Sequence, residues 1–401
     1  MKIVKFVSII LFIPIILIIK IINPVLKIRW STSYFPDRIG HLVAELEHYL
    51  YLTKNKSIFC IDIFPKHIFY NSNPCNTFLQ KHYRKKLITI DTKIIILLQR
   101  SQKIVENYFK FIKFETIDKL LSTKDNFKII NKNFKPSILF SKGEKIKIKK
   151  QLKEIGLKKN QKFICLIARD NRYLKNRMNF DTSYHDYRDC NIENFTQGIK
   201  YLLNKDFFVF RMGKLQKKKL NLKNKNYLDY AFSKYRSDIL DVWLMANCEF
   251  CISTGTGFDQ ISRVFKKPIL YVNQLPFTDW PSFSRSLTHP KFMFDLKKKK
   301  FFDLKSYVEH SYHRMSEYKK NKIKIIDLNK NEILYCIKEF LQIMISNWNI
   351  SSKRKKKQNK LNNCFKNFLL KYHPKIDFHQ NIHKDALVSN NFLEKNKRIN
   401  L

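Results

Sequence analysis

The chain has 401 residues, 44% hydrophobic and 14% aromatic, so it is too apolar for a disordered polymer and long enough for two medium-sized domains. Its 78 basic residues against 33 acidic ones give a formal charge of +45, which taken alone points to nucleic acid or an anionic membrane surface. Lysine is nevertheless spread over turns and solvated helix faces, and glycine numbers only 7, as an AT-rich coding sequence would produce. That reading disfavours a dedicated nucleic-acid surface and leaves open a secondary attraction to anionic lipid.

In chain order, residues 1–29 read as a membrane anchor. The apolar run Phe6–Ile19 is shorter than the ~20 residues of a spanning helix, and Pro14 is expected to kink it. Spanning length, Ile3 to Leu26, is reached only if Lys5 and Lys20 snorkel, so the segment is expected to span or to be re-entrant. No small-x-small cleavage site follows it. Lys20, Lys27 and Arg29 outnumber Lys2 and Lys5, which keeps the following body cytosolic by the positive-inside rule. The competing reading is a buried core helix.

Residues 30–150 read as a first α/β unit. A turn at Pro36-Asp37 and Gly40 precedes a helical pattern through Leu42, Val43, Leu46, Tyr49 and Leu50. Strand-like runs follow at Ser57–Phe64 and Leu87–Leu98, then a helical pattern at Gln102–Phe114. A lysine-rich amphipathic stretch (141–157) leads into a second unit at 151–345. There, strands are expected at Phe163–Ala168, Phe207–Arg211, Glu249–Ser253 and Pro268–Val272, with helices at Ile192–Asn204, Ser237–Met245 and Gly257–Phe265. This alternation predicts a parallel sheet covered by helices. Residues 346–401 read as a basic helical tail. The eight cysteines show no disulfide spacing; Cys248 and Cys251 lack the second pair a zinc site needs and read as buried thiols.

Three of these strands end in polar or glycine-bearing residues: Arg169-Asp170, Arg211-Met212-Gly213 and Ser253-Thr254-Gly255-Thr256-Gly257. Arginine can grip phosphate oxygens through parallel charge-assisted bonds, and a Ser/Thr/Gly turn entering a helix offers hydroxyls and backbone N–H groups to an anion. Neither the P-loop nor the G-x-G-x-x-G pattern is present. The polar-aromatic loop Tyr184-His185-Asp186-Tyr187-Arg188-Asp189 is suited to stacking on a base or sugar. Arg38, Gly40 and His41 precede a helix, with Gly40 allowing close approach and His41 available as a general base.

With RIGHL (38–42), ARDNRYL (168–174), YHDYRDCNIENF (184–195), FRMGK (210–214), the long run 228–277 and, weakly, ALVSNNFLEKN (386–396), the chain resembles a bacterial family of glycosyltransferases associated with surface-polysaccharide synthesis. The A-R-D segment and the S-T-G-T-G turn are similar to the diphosphate-binding parts of GT-B fucosyltransferase-like enzymes, although Ala168 stands where their pattern places histidine. The resemblance implies two Rossmann-like domains and a nucleotide-sugar donor held by the second, at Arg169, Asp170, Arg211, Gly213, Asp229, Ser253, Thr254, Gly255, Thr256 and Gly257. The glycan or lipid-linked acceptor would meet Arg38, Gly40, Tyr184, His185 and Arg188, with His41 as base. Transfer would need no metal or other cofactor, and the body would lie on the cytoplasmic side of a bacterial inner membrane. Two other functions stay open: a non-catalytic glycan-binding scaffold on the same fold, and a basic nucleic-acid-binding protein.

Overall fold

The computed structural model describes residues 10–31, 38–54, 59–66, 74–118, 134–177, 180–376, 379 and 382–395. The chain is a mixed α/β protein that divides into two compact units, Met1–Leu139 and Phe140–Leu401. The division falls before the lysine-rich helix rather than after residue 150.

Unit 1 contains α1 (Ile13–Ile22), β1 (Lys27–Trp30), α2 (Ile39–Leu52), β2 (Cys60–Pro65), α3 (Thr77–Arg84), β3 (Ile88–Ile90) and α4 (Thr92–Tyr108). The strands pair in parallel in the order β1-β2-β3. The run Leu87–Leu98, expected as one strand, is a three-residue strand followed by a helix. Asp91 accepts from the Lys93 N–H and caps α4, whose Ile95, Leu98, Ser101, Gln102 and Val105 are buried at helical spacing.

The N-terminal segment is described from Ile10 onwards. Among the described residues no helix is long and apolar enough to cross a membrane; residues 1–9 lie outside them. Ile10 and Leu11 are helical, Phe12 is a turn, and α1 then opens with Pro14 in its first turn, where its missing N–H has no intrahelical partner to lose. One face of α1 packs on Trp30, Ile95, Leu98, Val105 and Phe114.

Unit 2 begins with α5 (Lys142–Ile155), which opens on a Ser141/Glu144 capping box and closes on left-handed Gly156. There follow β4 (Phe163–Ile167), α6 (Arg172–Arg177), two 3₁₀ turns (Ser183–Arg188 and Ile192–Phe195), α7 (Thr196–Leu203), β5 (Phe208–Arg211), β6 (Tyr227–Leu228), α8 (Asp238–Asn247), β7 (Cys251–Ser253), α9 (Asp259–Val264) and β8 (Ile269–Gln274). The remainder is β9 (Ser286–Pro290), β10 (Phe292–Asp295), β11 (Lys300–Phe301), α10 (Leu304–Glu309), α11 (Met315–Lys320), β12 (Ile323–Ile326), α12 (Lys330–Ile345), α13 (Ser352–Tyr372), β13 (Ala386–Val388) and α14 (Asn390–Lys395).

Seven strands form one sheet in the order β13-β9-β8-β7-β4-β5-β6, every neighbouring pair parallel. Strands buried on both faces explain the near-continuous apolar runs of the sequence. Ile164, Leu166, Ile252, Leu270 and Leu287 share a core with Ile199 and Leu202 of α7 and Ile333, Ile337 and Phe340 of α12. Gly198 permits the approach of α7 to α12, since a Cβ there would collide with Ile337. Strands β10, β11 and β12 make a separate antiparallel sheet.

Residues 346–401 are not an appended tail. Residues 386–388 add an edge strand to the main sheet, and α13 buries Leu361, Phe365 and Leu369 against the cluster that holds Phe277, Trp280 and Tyr307. A buried ion pair of Arg354 with Glu339, at 2.7 Å, ties α13 to α12. The basic run that suggested a tail is the solvated side of α13.

Candidate functional site

From β4 the chain passes to β5 and β6 on one side of the sheet, then crosses back to β7, β8 and β9 on the other. The strand order therefore reverses between β4 and β7, and in doubly wound sheets the crevice beyond the carboxyl ends of such a strand pair is where ligands bind. Ile167 and Ser253 are register partners at that end. The segments leaving the two strands are joined, because the Arg169 N–H donates to Thr254 Oγ1 at 3.1 Å.

Arg169 is 9% exposed. Its Nη1 donates to the His185 carbonyl at 3.1 Å and to the Asp189 carboxylate, while Nη2 is buried without an acceptor among the described residues. Arg188 donates through Nη2 to the Gly255 carbonyl, and its Nε also lacks an acceptor there. Burial lowers the Arg169 pKa; the attraction of Asp189 opposes this and the nearby Arg188 charge adds to it. Burial pushes the Asp189 carboxyl up to about 6 and outweighs the pull of Arg169. Lys291, also buried, donates to the Asp189 backbone carbonyl and pairs with Asp327 at 2.8 Å. Two guanidinium groups with uncommitted N–H donors thus meet at the switch point, a chemistry suited to phosphate oxygens.

The Ser253–Gly257 turn contributes less than its sequence promises. Gly255 is left-handed (φ 74°), and a Cβ there would collide with Gln274 Oε1. The N–H groups, however, are already used: Gly255 N–H donates to Ser253 Oγ at 3.1 Å, Thr256 N–H to the Asp259 carboxylate at 2.8 Å and Phe258 N–H to Thr256 Oγ1 at 3.2 Å. Asp259, fully buried and held by Ser253 Oγ at 2.6 Å, puts the protein's own carboxylate where an anion was expected. The turn shapes the crevice wall and presents Thr254 and the Gly255 carbonyl to the arginines. No contact of Gly257 bears on this.

Arg211 and Asp229, both expected on the donor, bind each other. Arg211 is 1% exposed; its Nη1 donates to Asp229 Oδ1 and to the Lys218 carbonyl, each at 3.0 Å, and its Nη2 to Gln216 Oε1 at 3.0 Å. Asp229 also accepts from the Leu220 N–H at 2.8 Å. The pair pins the loop between β5 and β6. Gly213 (φ 153°) lies against the Gln216 side chain. Asp170 holds the same loop, accepting from the Lys217 N–H at 2.8 Å and the Arg172 N–H at 3.0 Å. These four residues frame the crevice rather than offer it side-chain donors.

Tyr184 and His185, expected on the acceptor, lie with ring centroids 4.0 Å apart and planes tilted by 37°, and the Arg314 guanidinium lies 6.0 Å from the Tyr184 ring. Arg188, expected with them, instead sits on the Gly255 carbonyl beside Arg169. In unit 1, Arg38 is the N-cap residue of α2, Gly40 lies in its first turn, and His41 Nδ1 is 2.5 Å from Glu45 Oε1, one turn along. The carboxylate must accept, so Nδ1 carries the proton and Nε2 is the basic nitrogen. Ala168 is buried at the end of β4 and presents no titratable group.

No family model, curated protein or solved structure matches the chain. Among the described residues no group of three or more His, Cys, Asp or Glu side chains is arranged to hold a metal ion. Sequence reasoning missed Lys291 and the role of Asp189. Lys291 follows the strand SLTHP, but one lysine among so many carries no signal. Asp189 was read only as part of a polar loop.

Proposed function

We propose that the chain is a glycosyltransferase that moves a sugar from a nucleotide-diphosphate donor to a glycan or lipid-linked acceptor in bacterial surface-polysaccharide synthesis. One observation carries the reading: at the point where the strand order reverses, Arg169 and Arg188 hold guanidinium N–H groups for which the protein supplies no acceptor. A diphosphate is the ligand chemistry that uses such donors best. Asp189 and the Gly255 carbonyl hold the two side chains, and phosphate oxygens would exchange with these acceptors.

In the proposed reaction, an acceptor hydroxyl oxygen attacks the anomeric carbon. The bond from that carbon to the diphosphate oxygen breaks, and its electron pair leaves with the nucleoside diphosphate. Arg169 and Arg188 stabilise the negative charge that develops there. The hydroxyl proton passes to a general base, the role we propose for His41, whose ring Glu45 orients. Thr254 and Gly255 shape the seat, and Tyr184 and His185 offer an aromatic face to a sugar or base ring.

The test is incubation of the full chain with a panel of nucleotide sugars, following release of the nucleoside diphosphate. Release from one donor, accelerated by a glycan acceptor, is the expected result. Saturable binding without turnover across acceptors would instead favour a non-catalytic glycan-binding scaffold, and nucleic-acid affinity that falls steeply with salt and ignores every sugar nucleotide would favour the basic nucleic-acid-binding reading.

A further inference from the structure

Helix α1 has two apolar faces, and only one of them is covered. Phe12, Ile13, Ile16, Leu17 and Ile19 pack on the unit 1 core. Leu11, Pro14, Ile15, Ile18, Ile21 and Ile22 fall within an arc of about 120° at 100° per residue. All six are exposed, Leu11 by 67%, Ile18 by 54% and Ile21 by 76%, and Val25 just beyond the helix by 76%. Between residues 10 and 26 the single ionisable side chain is Lys20. It is drawn onto the protein, donating to the Lys113 carbonyl at 2.7 Å and lying 5.7 Å from the Phe114 ring. The exposed stripe therefore carries no charge at all.

The segment that Lys20 reaches is of a different character. Tyr108 and Phe111 are 81% and 83% exposed, and exposed Lys110 and Lys113 are interleaved with them. Unit 1 thus exposes an uncharged aliphatic stripe on α1 and, at the end of α4 and on the segment that follows it, aromatic rings and lysines, the residue types a bilayer interface takes up: aliphatic chains in the acyl region, aromatic rings at headgroup depth, ammonium groups at the phosphates. The exposed stripe is one-sided, with the opposite face of α1 on the unit 1 core, which suits a helix lying in the membrane plane.

We propose that this face of unit 1 docks on an anionic lipid bilayer, with α1 lying in the interface. A second copy of the chain is the other occupant such a stripe could have. Charge decides against it: a second copy would bring another chain of net charge +45, whereas anionic headgroups complement that charge. The docking does not depend on the glycosyl-transfer reading.

The test is flotation of the full chain with phosphatidylcholine vesicles with or without phosphatidylglycerol. We compare the wild type with the combined variant Ile15→Ser, Ile18→Ser, Ile21→Ser, whose positions are exposed and whose folding is checked by its unfolding midpoint. The wild type should float with the phosphatidylglycerol vesicles, and the triple variant should partition at least ~10-fold less. Lys110→Gln with Lys113→Gln should remove only the phosphatidylglycerol-dependent part, roughly 5-fold or more. Flotation of the triple variant equal to that of wild type would overturn the proposal. So would a wild type that ignores vesicles but sediments as an oligomer that the triple variant dissolves to monomers, which would make the face a self-interface.

Discussion

Arg169 and Arg211 end neighbouring strands of one sheet, each follows an apolar run, and each is buried, yet the fold puts them to different uses. Arg211, at the end of β5, spends both terminal nitrogens on Asp229, Gln216 and the Lys218 carbonyl, and only its Nε lacks a partner. Arg169, just beyond β4, keeps a terminal nitrogen without an acceptor among the described residues and lies beside Arg188, whose Nε also lacks one. What separates them is the path of the chain. After β5 the chain continues to the adjacent β6, so the connecting loop covers the strand end and brings Asp229 to it. After the last strand on that side the chain crosses to β7, so the segments leaving β4 and β7 meet each other, through the Arg169 N–H on Thr254 Oγ1 and Arg188 on the Gly255 carbonyl, and Arg169 Nη2 is left without an acceptor among the described residues.

The largest effect that can break this comparison is on stability. Asp229→Ala leaves the Arg211 charge buried without its partner and should cost about 3–5 kcal/mol, measured by denaturant unfolding; a change under about 1 kcal/mol would mean that Arg211 is not structural. Next in size, His41→Gln should slow turnover roughly 100-fold or more while leaving nucleotide affinity unchanged. Loss of donor affinity in that variant would remove His41 from the role of base.

A further effect reads the β5–β6 flank through pH. Burial pushes the Asp241 carboxyl up to about 7, against the attraction of Arg236 2.8 Å away. A carboxyl whose folded pKa is raised binds more protons in the native state than in the unfolded chain. Its contribution is therefore complete below about pH 4 and lost as the pH rises towards 7, a change on the order of a few kcal/mol. Urea midpoints of Asp241→Asn should show a flatter slope over that window; an unaltered slope would refute the assignment.

Most of the second unit was legible because each of its central strands is an apolar run broken by polar residues. Strands expected at Phe163–Ala168, Phe207–Arg211, Glu249–Ser253 and Pro268–Val272 appear within two residues of those bounds. Leu87–Leu98 misled because isoleucine-rich text suits a strand or a buried helix face equally, and the cap at Asp91 decided the matter. The tail misled because a run of lysines hides the apolar spacing of Leu361, Phe365 and Leu369 beneath it. Within the site, residue type identified the arginines, but only the strand order could say which one keeps a terminal nitrogen uncommitted. The S-T-G-T-G turn fell short for a related reason: Asp259, two residues beyond it, takes the Thr256 N–H and the Ser253 hydroxyl, and Ser253 Oγ takes the Gly255 N–H.

The central claim is that Arg169 contacts an anionic ligand while Arg211 holds the fold. Calorimetric titration of nucleoside diphosphates into Arg169→Ala, alongside the wild type, tests it most directly. The expected result is an affinity at least ~10-fold weaker, as loss of a charged hydrogen-bond donor implies, in a protein that still unfolds cooperatively. Unchanged affinity in that folded variant would contradict the claim.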